Sequence, residues 1–298
     1  MKIVAYNRDG RASLGVVDGE MVVELATATS GLPGDLAVLL QHEGWRDIVE
    51  SAMQRSRTRH RRPLEGLSYR LPLARPGKIL CLGMNYAATV EQWRRAPTVY
   101  PEVFMRGATS LTPHEGPLMR PRSSEEFDYE AELAVVIGRR GHLVPAANAL
   151  EWVAGYACFN DGSVRDVQAR TRHWTLGKNF DLTGAFGPWM VTADSLPPGA
   201  AGLRIESHLC GEPLQSADTG DMIFSVAQVI AMLTECMTLE PGDVIVMGTP
   251  GGCGANRKPR IWMRPGDMVE VAIEGIGVLR NTVLCEREAG EGTVRHAA

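Results

Sequence analysis

Phe127-Asp128-Tyr129-Glu130-Ala131-Glu132-Leu133-Ala134-Val135-Val136-Ile137-Gly138 is the stretch on which the fold turns. Its second half is apolar at every position, the pattern of a strand buried on both faces. Its first half breaks that pattern with two carboxylates. Residues two apart on a strand share a face, so Glu130 and Glu132 point the same way, with Cα atoms about 6.5 Å apart. Carboxylates entering a core are costly unless something positive neutralises them. Outward from this stretch, Gly155-Tyr156-Ala157-Cys158-Phe159-Asn160 reads as a neighbouring strand with Asp161 at its end. Three carboxylates with no His or Cys beside them suit a hard, oxygen-seeking cation, Mg²⁺ or Mn²⁺, and not zinc. The plainer alternative is a Glu-x-Glu pair facing water on an edge strand. The Val-Val-Ile continuation and the Asn160-Asp161-Gly162-Ser163-Val164-Arg165-Asp166 segment weigh against it, but on these residues alone both readings stay open.

The wider composition bounds the rest. The chain has 298 residues, 44% hydrophobic and 22% charged, ordinary for a globular protein with a sizeable core. A net charge of −4 provides no field for nucleic acid or anionic lipid. The basic run Arg55 to Arg62 lacks interleaved aromatics and reads as a solvated helix end. Cys81, Cys158, Cys210, Cys236, Cys253 and Cys285 form no C-x-x-C pair and read as reduced thiols of a cytoplasmic protein. The N-terminus has no long apolar h-region, and no stretch approaches the length of a membrane span.

Residues 1–25 alternate as a small antiparallel meander with turns at Asp9-Gly10 and Asp18-Gly19. Residues 35–57 read as helical, and Pro63, Pro72 and Pro76 mark a linker-like stretch. From Lys78 the texture changes to short β-runs. Strands are expected at 79–83, around 127–137 and 152–159, and at 186–192, 243–248 and 268–273. A short helix is expected over 86–95 and the clearest helix over 222–237. Residues 286–298 are polar and Gly-rich, a flexible tail. The fold class is α+β, mainly β: a mixed β-sandwich or roll rather than a doubly wound sheet. The expected division is a small N-terminal α+β domain over 1–72, a catalytic domain over 76–285 and the tail.

No G-x-S-x-G, H-E-x-x-H or P-loop pattern is present. Gly248-Thr249-Pro250-Gly251-Gly252 follows a strand and reads as a tight turn able to hold an anion. Lys178 is bracketed by Trp174 and Phe180. A snorkelling surface lysine is its plain reading; at the wall of a metal pocket it would stabilise a developing oxyanion. His114 and His173 are isolated and read as surface or loop residues.

These pieces, in this order, resemble the fumarylacetoacetate hydrolase family. The likeness is carried by Lys78-Ile79-Leu80-Cys81-Leu82-Gly83-Met84-Asn85-Tyr86, Asp128-Tyr129-Glu130-Ala131-Glu132-Leu133, Asn160 to Gln168, Trp174 to Asp181, Asp221-Met222-Ile223-Phe224, Leu239-Glu240-Pro241-Gly242-Asp243-Val244-Ile245, Gly248-Thr249-Pro250 and Ile273 to Asn281. The resemblance implies a mixed β-sandwich roll, a homodimer, and one divalent metal on Glu130, Glu132 and Asp161. It implies a catalytic lysine at Lys178 and substrate contacts at Arg165, Gln168 and Thr249. The implied substrate is a small 2-oxo or β-diketo acid, and the implied outcome is hydrolysis of a C–C bond, as in an acylpyruvate. The alternative is an isomerase, tautomerase or decarboxylase of a 2-oxo dicarboxylic acid. One departure favours that alternative. Family hydrolases carry Asn-Tyr-x-x-His-x-x-Glu, whose His–Glu dyad activates water; here Thr89 and Gln92 replace the pair. Glu91 is next door but turned about 100° away on a helix, and it or His114 would have to stand in as base.

Overall fold

The computed structural model describes residues 1–29, 31–96 and 99–286. Its strands are β1 (Lys2–Arg8), β2 (Arg11–Asp18), β3 (Met21–Glu24), β4 (Arg61–Pro63), β5 (Ile79–Gly83), β6 (Glu102–Met105), β7 (Leu111–Thr112), β8 (Pro117–Arg120) and β9 (Phe127–Asp128). They continue as β10 (Ala131–Ile137), β11 (Val153–Asn160), β12 (Ser163–Val164), β13 (Gly184–Thr192), β14 (Arg204–Leu209), β15 (Glu212–Asp218), β16 (Val244–Val246), β17 (Met268–Ile273) and β18 (Gly277–Cys285). The helices are α1 (Leu25–Ala28), α2 (Leu36–Leu40), α3 (Trp45–Arg55), α4 (Ala87–Gln92), α5 (Arg165–Gln168), α6 (Thr175–Lys178) and α7 (Val226–Cys236).

The large sheet runs β4-β3-β2-β1-β13-β11-β10-β16-β5-β6, with β7 also paired to β13. A second sheet runs β15-β14-β17-β18-β8. Strand β10 is buried at every position because β11 and β16 flank it and both its faces are covered. Its odd residues, Leu133, Val135 and Ile137, pack with Ile205, Val269, Val271 and Leu279 of the second sheet. Its even residues, Ala134 and Val136, pack with Phe159, Phe186, Leu36, Leu39, Trp45 and Val49. This is the mainly β sandwich expected, with α2 and α3 covering the outer face.

The hairpins at Asp9-Gly10 and Asp18-Gly19 form as expected. Two helical expectations are refined. The 35–57 region splits into α2 and α3 because Gly44 takes a left-handed φ of 70° ahead of α3. The late helix starts at Val226, where Ser225 and Gln228 form a capping box, leaving Met222 to Phe224 extended against Asn85. The N-terminal strands continue the large sheet, since Lys2 and Ile3 pair with Val191 and Met190 of β13. From residue 287 onward the expected tail lies outside the described residues. Among the described residues no helix is long and apolar enough to cross a membrane. All six cysteines are free; Cys81, Cys158 and Cys253 are buried, and the other three are exposed.

Candidate active site

The register of β10 and β11 builds the acidic centre. Ala131 lies opposite Asn160, so one step on, beyond the last ladder pair, Glu130 lies opposite Asp161. The Asp161 N–H donates to the Glu130 carbonyl at 3.0 Å, and the Glu130 N–H donates to Asn160 Oδ1 at 3.0 Å. Glu132, two residues along the same face, completes the group. One carboxylate oxygen from each of Glu130, Glu132 and Asp161 lies within 4.8 Å of the others, and all three residues are buried.

Three cations balance them unevenly. Lys178 Nζ, itself buried, lies 2.6 Å from Glu130 Oε2 and 2.5 Å from Asp161 Oδ2. Arg165 donates to Glu130 Oε1 at 2.6 Å and to Asp128 Oδ2 at 2.8 Å. Arg106 donates to Asp161 Oδ1 at 2.6 Å. Glu132 alone has no cation; it accepts from the Gly248 N–H at 2.6 Å. Gly248 can present that N–H because its φ is 89°, in the left-handed region glycine tolerates. Burial, then Asp161 and Glu130, push the Glu132 carboxyl well above its ordinary pKa. Burial also opposes charge on Asp161, but Lys178 and Arg106 outweigh it and hold that carboxyl below its ordinary value. Burial works against the Lys178 ammonium, yet Asp161 and Glu130 more than offset it, so its pKa is raised. The plain reading of Lys178 as a surface lysine is thereby set aside.

Four linked carboxylates, Asp128, Glu130, Glu132 and Asp161, therefore face three cations. An all-oxygen donor set with surplus negative charge, and with Glu132 unneutralised, fits a hard divalent ion.

The other expected residues surround a cavity of about 1000 Å³ lined by Glu130, Glu132, Lys178, Arg165, Gln168, Thr249 and Thr89. Arg165 Nη1 donates to Gln168 Oε1 at 2.9 Å, which fixes both side chains. Thr249 Oγ1 donates to the Ala131 carbonyl at 2.9 Å and accepts from Gln215 Nε2 at 2.8 Å. Thr89 and Gln92 do share a working face of α4, and both are tied to the turn after β16. Thr89 Oγ1 donates to the Thr249 carbonyl at 2.7 Å, and Gln92 Oε1 accepts from the Gly252 N–H at 2.9 Å. Glu91 is exposed and does not line the cavity. Neither does His114, whose side chain is 11% exposed and packs edge-on against Tyr69. Burial, then Arg280, push its pKa down to about 4. His173 does line the cavity.

Three residues escaped the sequence reading. Arg106 sits just past β6 in Phe104-Met105-Arg106, where a lone arginine beside an apolar strand gives no hint of burial. Asp128 accepts from Arg165 and from the Gly254 and Ala255 N–H groups. Gln215 receives the Ala131 N–H at 3.0 Å. The signal available was the charge surplus around Glu130, which required buried cations in number.

A buried acidic triad able to hold a metal ion, set in a mixed β-sandwich, defines the class. The family model for the fumarylacetoacetate (FAA) hydrolase C-terminal region matches residues 78–284, and the chain belongs to that family. It is 38% identical over 224 residues to the human mitochondrial oxaloacetate tautomerase FAHD2A, a match covering 74% of this chain and 71% of the relative. Its fold superposes on 2-hydroxyhepta-2,4-diene-1,7-dioate isomerase from Mycobacterium marinum with a TM-score of 0.77 at 28% identity, covering 97% of this chain and all of that one. It also superposes on maleylpyruvate hydrolase from Sphingobium sp. SYK-6, solved with manganese(II) and pyruvate, with a TM-score of 0.80 at 27% identity, covering 96% of this chain and all of that one. A tautomerase, an isomerase and a hydrolase thus share this architecture.

Proposed function

We propose that this protein is a divalent-metal-dependent enzyme that interconverts the enol and keto forms of a 2-oxo dicarboxylic acid. The observation that carries this reading is the engagement of Thr89 and Gln92 with the turn after β16. A hydroxyl and an amide do not titrate near neutrality, and both are committed to holding backbone. The family's water-activating position is filled by structural pins. The likeness to the oxaloacetate tautomerases supports the same choice.

Glu130, Glu132 and Asp161 would hold the ion, with Mg²⁺ or Mn²⁺ suited to the oxygen donors. Bound there, it would supply Lewis-acid stabilisation of an enolate. The chain's own groups do the rest. Lys178 Nζ carries a proton beside the acidic centre and donates it as a hydrogen bond where oxyanion character grows. Arg165, locked by Asp128 and Gln168, offers a fixed cation for a substrate carboxylate. The Gly248-Thr249 turn holds Glu132 through the Gly248 N–H and places Thr249 in the cavity lining. Enolisation asks for charge stabilisation and two proton transfers, one at carbon and one at oxygen, and no attacking water.

C–C bond hydrolysis is the second reading, favoured by the maleylpyruvate hydrolase likeness and served by the same carboxylates and lysine. It needs a general base for water, whose loss typically costs about 10²–10⁴-fold in rate. The test is ultraviolet absorbance of oxaloacetate enol decay alongside hydrolysis of an acylpyruvate, each with and without Mn²⁺. We expect metal-dependent tautomerisation that drops about 100-fold or more in Lys178→Met, and slow acylpyruvate hydrolysis. Acylpyruvate hydrolysis at ordinary enzyme rates, with no tautomerisation above background, would reverse the order of the two readings.

A further inference from the structure

Around the acidic centre the cavity's polar side chains are committed to protein partners. Glu130 is held by Lys178 and Arg165, and Glu132 by the Gly248 N–H. Gln168 is held by Arg165, Thr249 by Gln215 and the Ala131 carbonyl, and Thr89 by the Thr249 carbonyl. Among the described residues, the buried side-chain polar atoms with no partner are Tyr86 Oη, Arg120 Nε, Asn160 Nδ2, Asn256 Nδ2 and Asn281 Oδ1. Of these residues Asn256 alone lines the cavity. An unpaired buried donor is costly and calls for an explanation. At Asn256 a ligand can provide one.

The placement of Asn256 is rigid. It ends a single 3₁₀ turn, Gly254–Asn256. That turn is anchored to Asp128, which accepts from the Gly254 N–H at 2.8 Å and the Ala255 N–H at 3.1 Å. The Asp128 carboxylate also takes Arg165 Nε at 2.8 Å, and Arg165 reaches Glu130 at 2.6 Å. Asn256 is therefore fixed, through backbone and ion pairs, to the frame that holds the acidic centre. No protein hydrogen bond holds its Nδ2.

We propose that Asn256 is a specificity-determining residue that donates a hydrogen bond to an acceptor oxygen on the end of the substrate remote from the acidic centre. This rests on the 2-oxo acid reading above, in which Glu130, Glu132, Asp161 and Lys178 engage the 2-oxo acid head. The oxygen left for Asn256 then belongs to the distal carboxylate. Arg260, also lining the cavity, stacks over Trp262 with its guanidinium 5.9 Å from the ring centroid and lies 3.7 Å from Glu126. That guanidinium is near a carboxylate already, whereas the Asn256 amide has no hydrogen bond through Nδ2 to give up when the ligand arrives.

The test compares two five-carbon acids that differ only at the far end, 2-oxoglutarate and 2-oxopentanoate, by titration calorimetry on the Mn²⁺-loaded protein. Asn256→Leu keeps the shape and removes the donor; Asn256→Asp replaces the donor with an anion. We expect Asn256→Leu to weaken 2-oxoglutarate at least tenfold and to leave 2-oxopentanoate within about twofold. Asn256→Asp should weaken 2-oxoglutarate further still. Because the side chain supports no protein hydrogen bond through Nδ2, both variants should melt within a few degrees of the parent. Equal weakening of both acids, or none, overturns the assignment and leaves the functional reading standing. Parent protein that binds neither acid overturns the functional reading, and the role of Asn256 with it.

Discussion

At the scale of single residues, the centre depends on charges that balance only as a set. Arg106 has no exposed side-chain surface. It spends its donors on Asp161 Oδ1, the Gly162 carbonyl, Thr183 Oγ1 and Ser110. One oxygen of Asp161 is thereby held, and the other is left toward Lys178 and the two glutamates. A buried ion pair is weak evidence of net stabilisation, because desolvation offsets much of the attraction. Breaking one is another matter, since the surviving charge stays buried and unpaired. Arg106→Met should therefore destabilise the protein by about 3–5 kcal/mol, read as a lower midpoint in urea at unchanged slope. Arg106→Lys, which keeps the charge but loses the fork, should recover part of that. A methionine variant within about 1 kcal/mol of the parent would mean that Asp161 finds another partner or gives up its charge.

At the scale of elements, side chains complete what strand pairing leaves open. The turn between β7 and β8 is docked on β18 by four hydrogen bonds: the Asn281 amide donates to the Pro113 and Gly116 carbonyls, the Glu115 N–H donates to the Arg280 carbonyl at 2.8 Å, and His114 Nδ1 accepts the Arg280 N–H at 3.0 Å. His114 can accept only through a neutral ring, and burial, then Arg280, hold its pKa down to about 4 against an ordinary 6.5. A folded pKa below the unfolded one means stability that is complete above pH 6.5 and lost as pH falls through 4. The stake is up to about 3 kcal/mol at one pKa unit per 1.36 kcal/mol. Denaturation curves of the parent between pH 7 and 4 should show that decline, and His114→Gln should flatten it. An identical slope in the variant would place the acid sensitivity elsewhere. The same element-level logic explains what the sequence disclosed. Asp9-Gly10 and Asp18-Gly19 declare their hairpins because both dipeptides accept positive φ. The β14–β15 hairpin turns through Cys210-Gly211, with Cys210 at a φ of 52°, and so carries no such declaration. Glu130, Glu132 and Asp161 were legible because carboxylates in an apolar strand pattern demand a reason. Arg106, Asp128 and Gln215 were not, since their partners lie 55, 37 and 84 residues away along the chain. Thr89 and Gln92 could be read as departures from a pattern; that they hold the Thr249 and Gly252 backbone required the fold.

At the scale of the whole molecule, the question is whether the first 72 residues form a separable unit. Sequence texture favours a small leading domain, and the proline-marked stretch after it supports that division. Packing points to a shared core. Ile3, Leu14, Val16, Leu36, Leu39, Trp45 and Val49 are buried in one cluster with Ile79, Cys81, Ala134, Val136, Phe159, Phe186 and Met190. The second group belongs to β5, β10, β11 and β13, the strands that carry Glu132 and lead into Glu130 and Asp161. Removing the first group would bare the outer face of the strands beneath the acidic centre. Each large apolar side chain returned to water costs about 1.5–3 kcal/mol, and a domain's whole margin is only about 5–15 kcal/mol. Exposing several of them, with the β13 edge at Met190 and Val191 unpaired as well, exceeds that margin. We therefore propose that residues 1–72 fold as part of the catalytic unit, and we expect the chain truncated to residues 73–298 to be insoluble or to lack a cooperative thermal transition. Adding residues 1–72 as a separate peptide during refolding should restore both the transition and Mn²⁺ binding. A truncated protein that stays soluble and melts within a few degrees of the full chain would establish the N-terminal region as an appendage, with the acidic centre standing on β5, β10, β11, β13 and β16 alone.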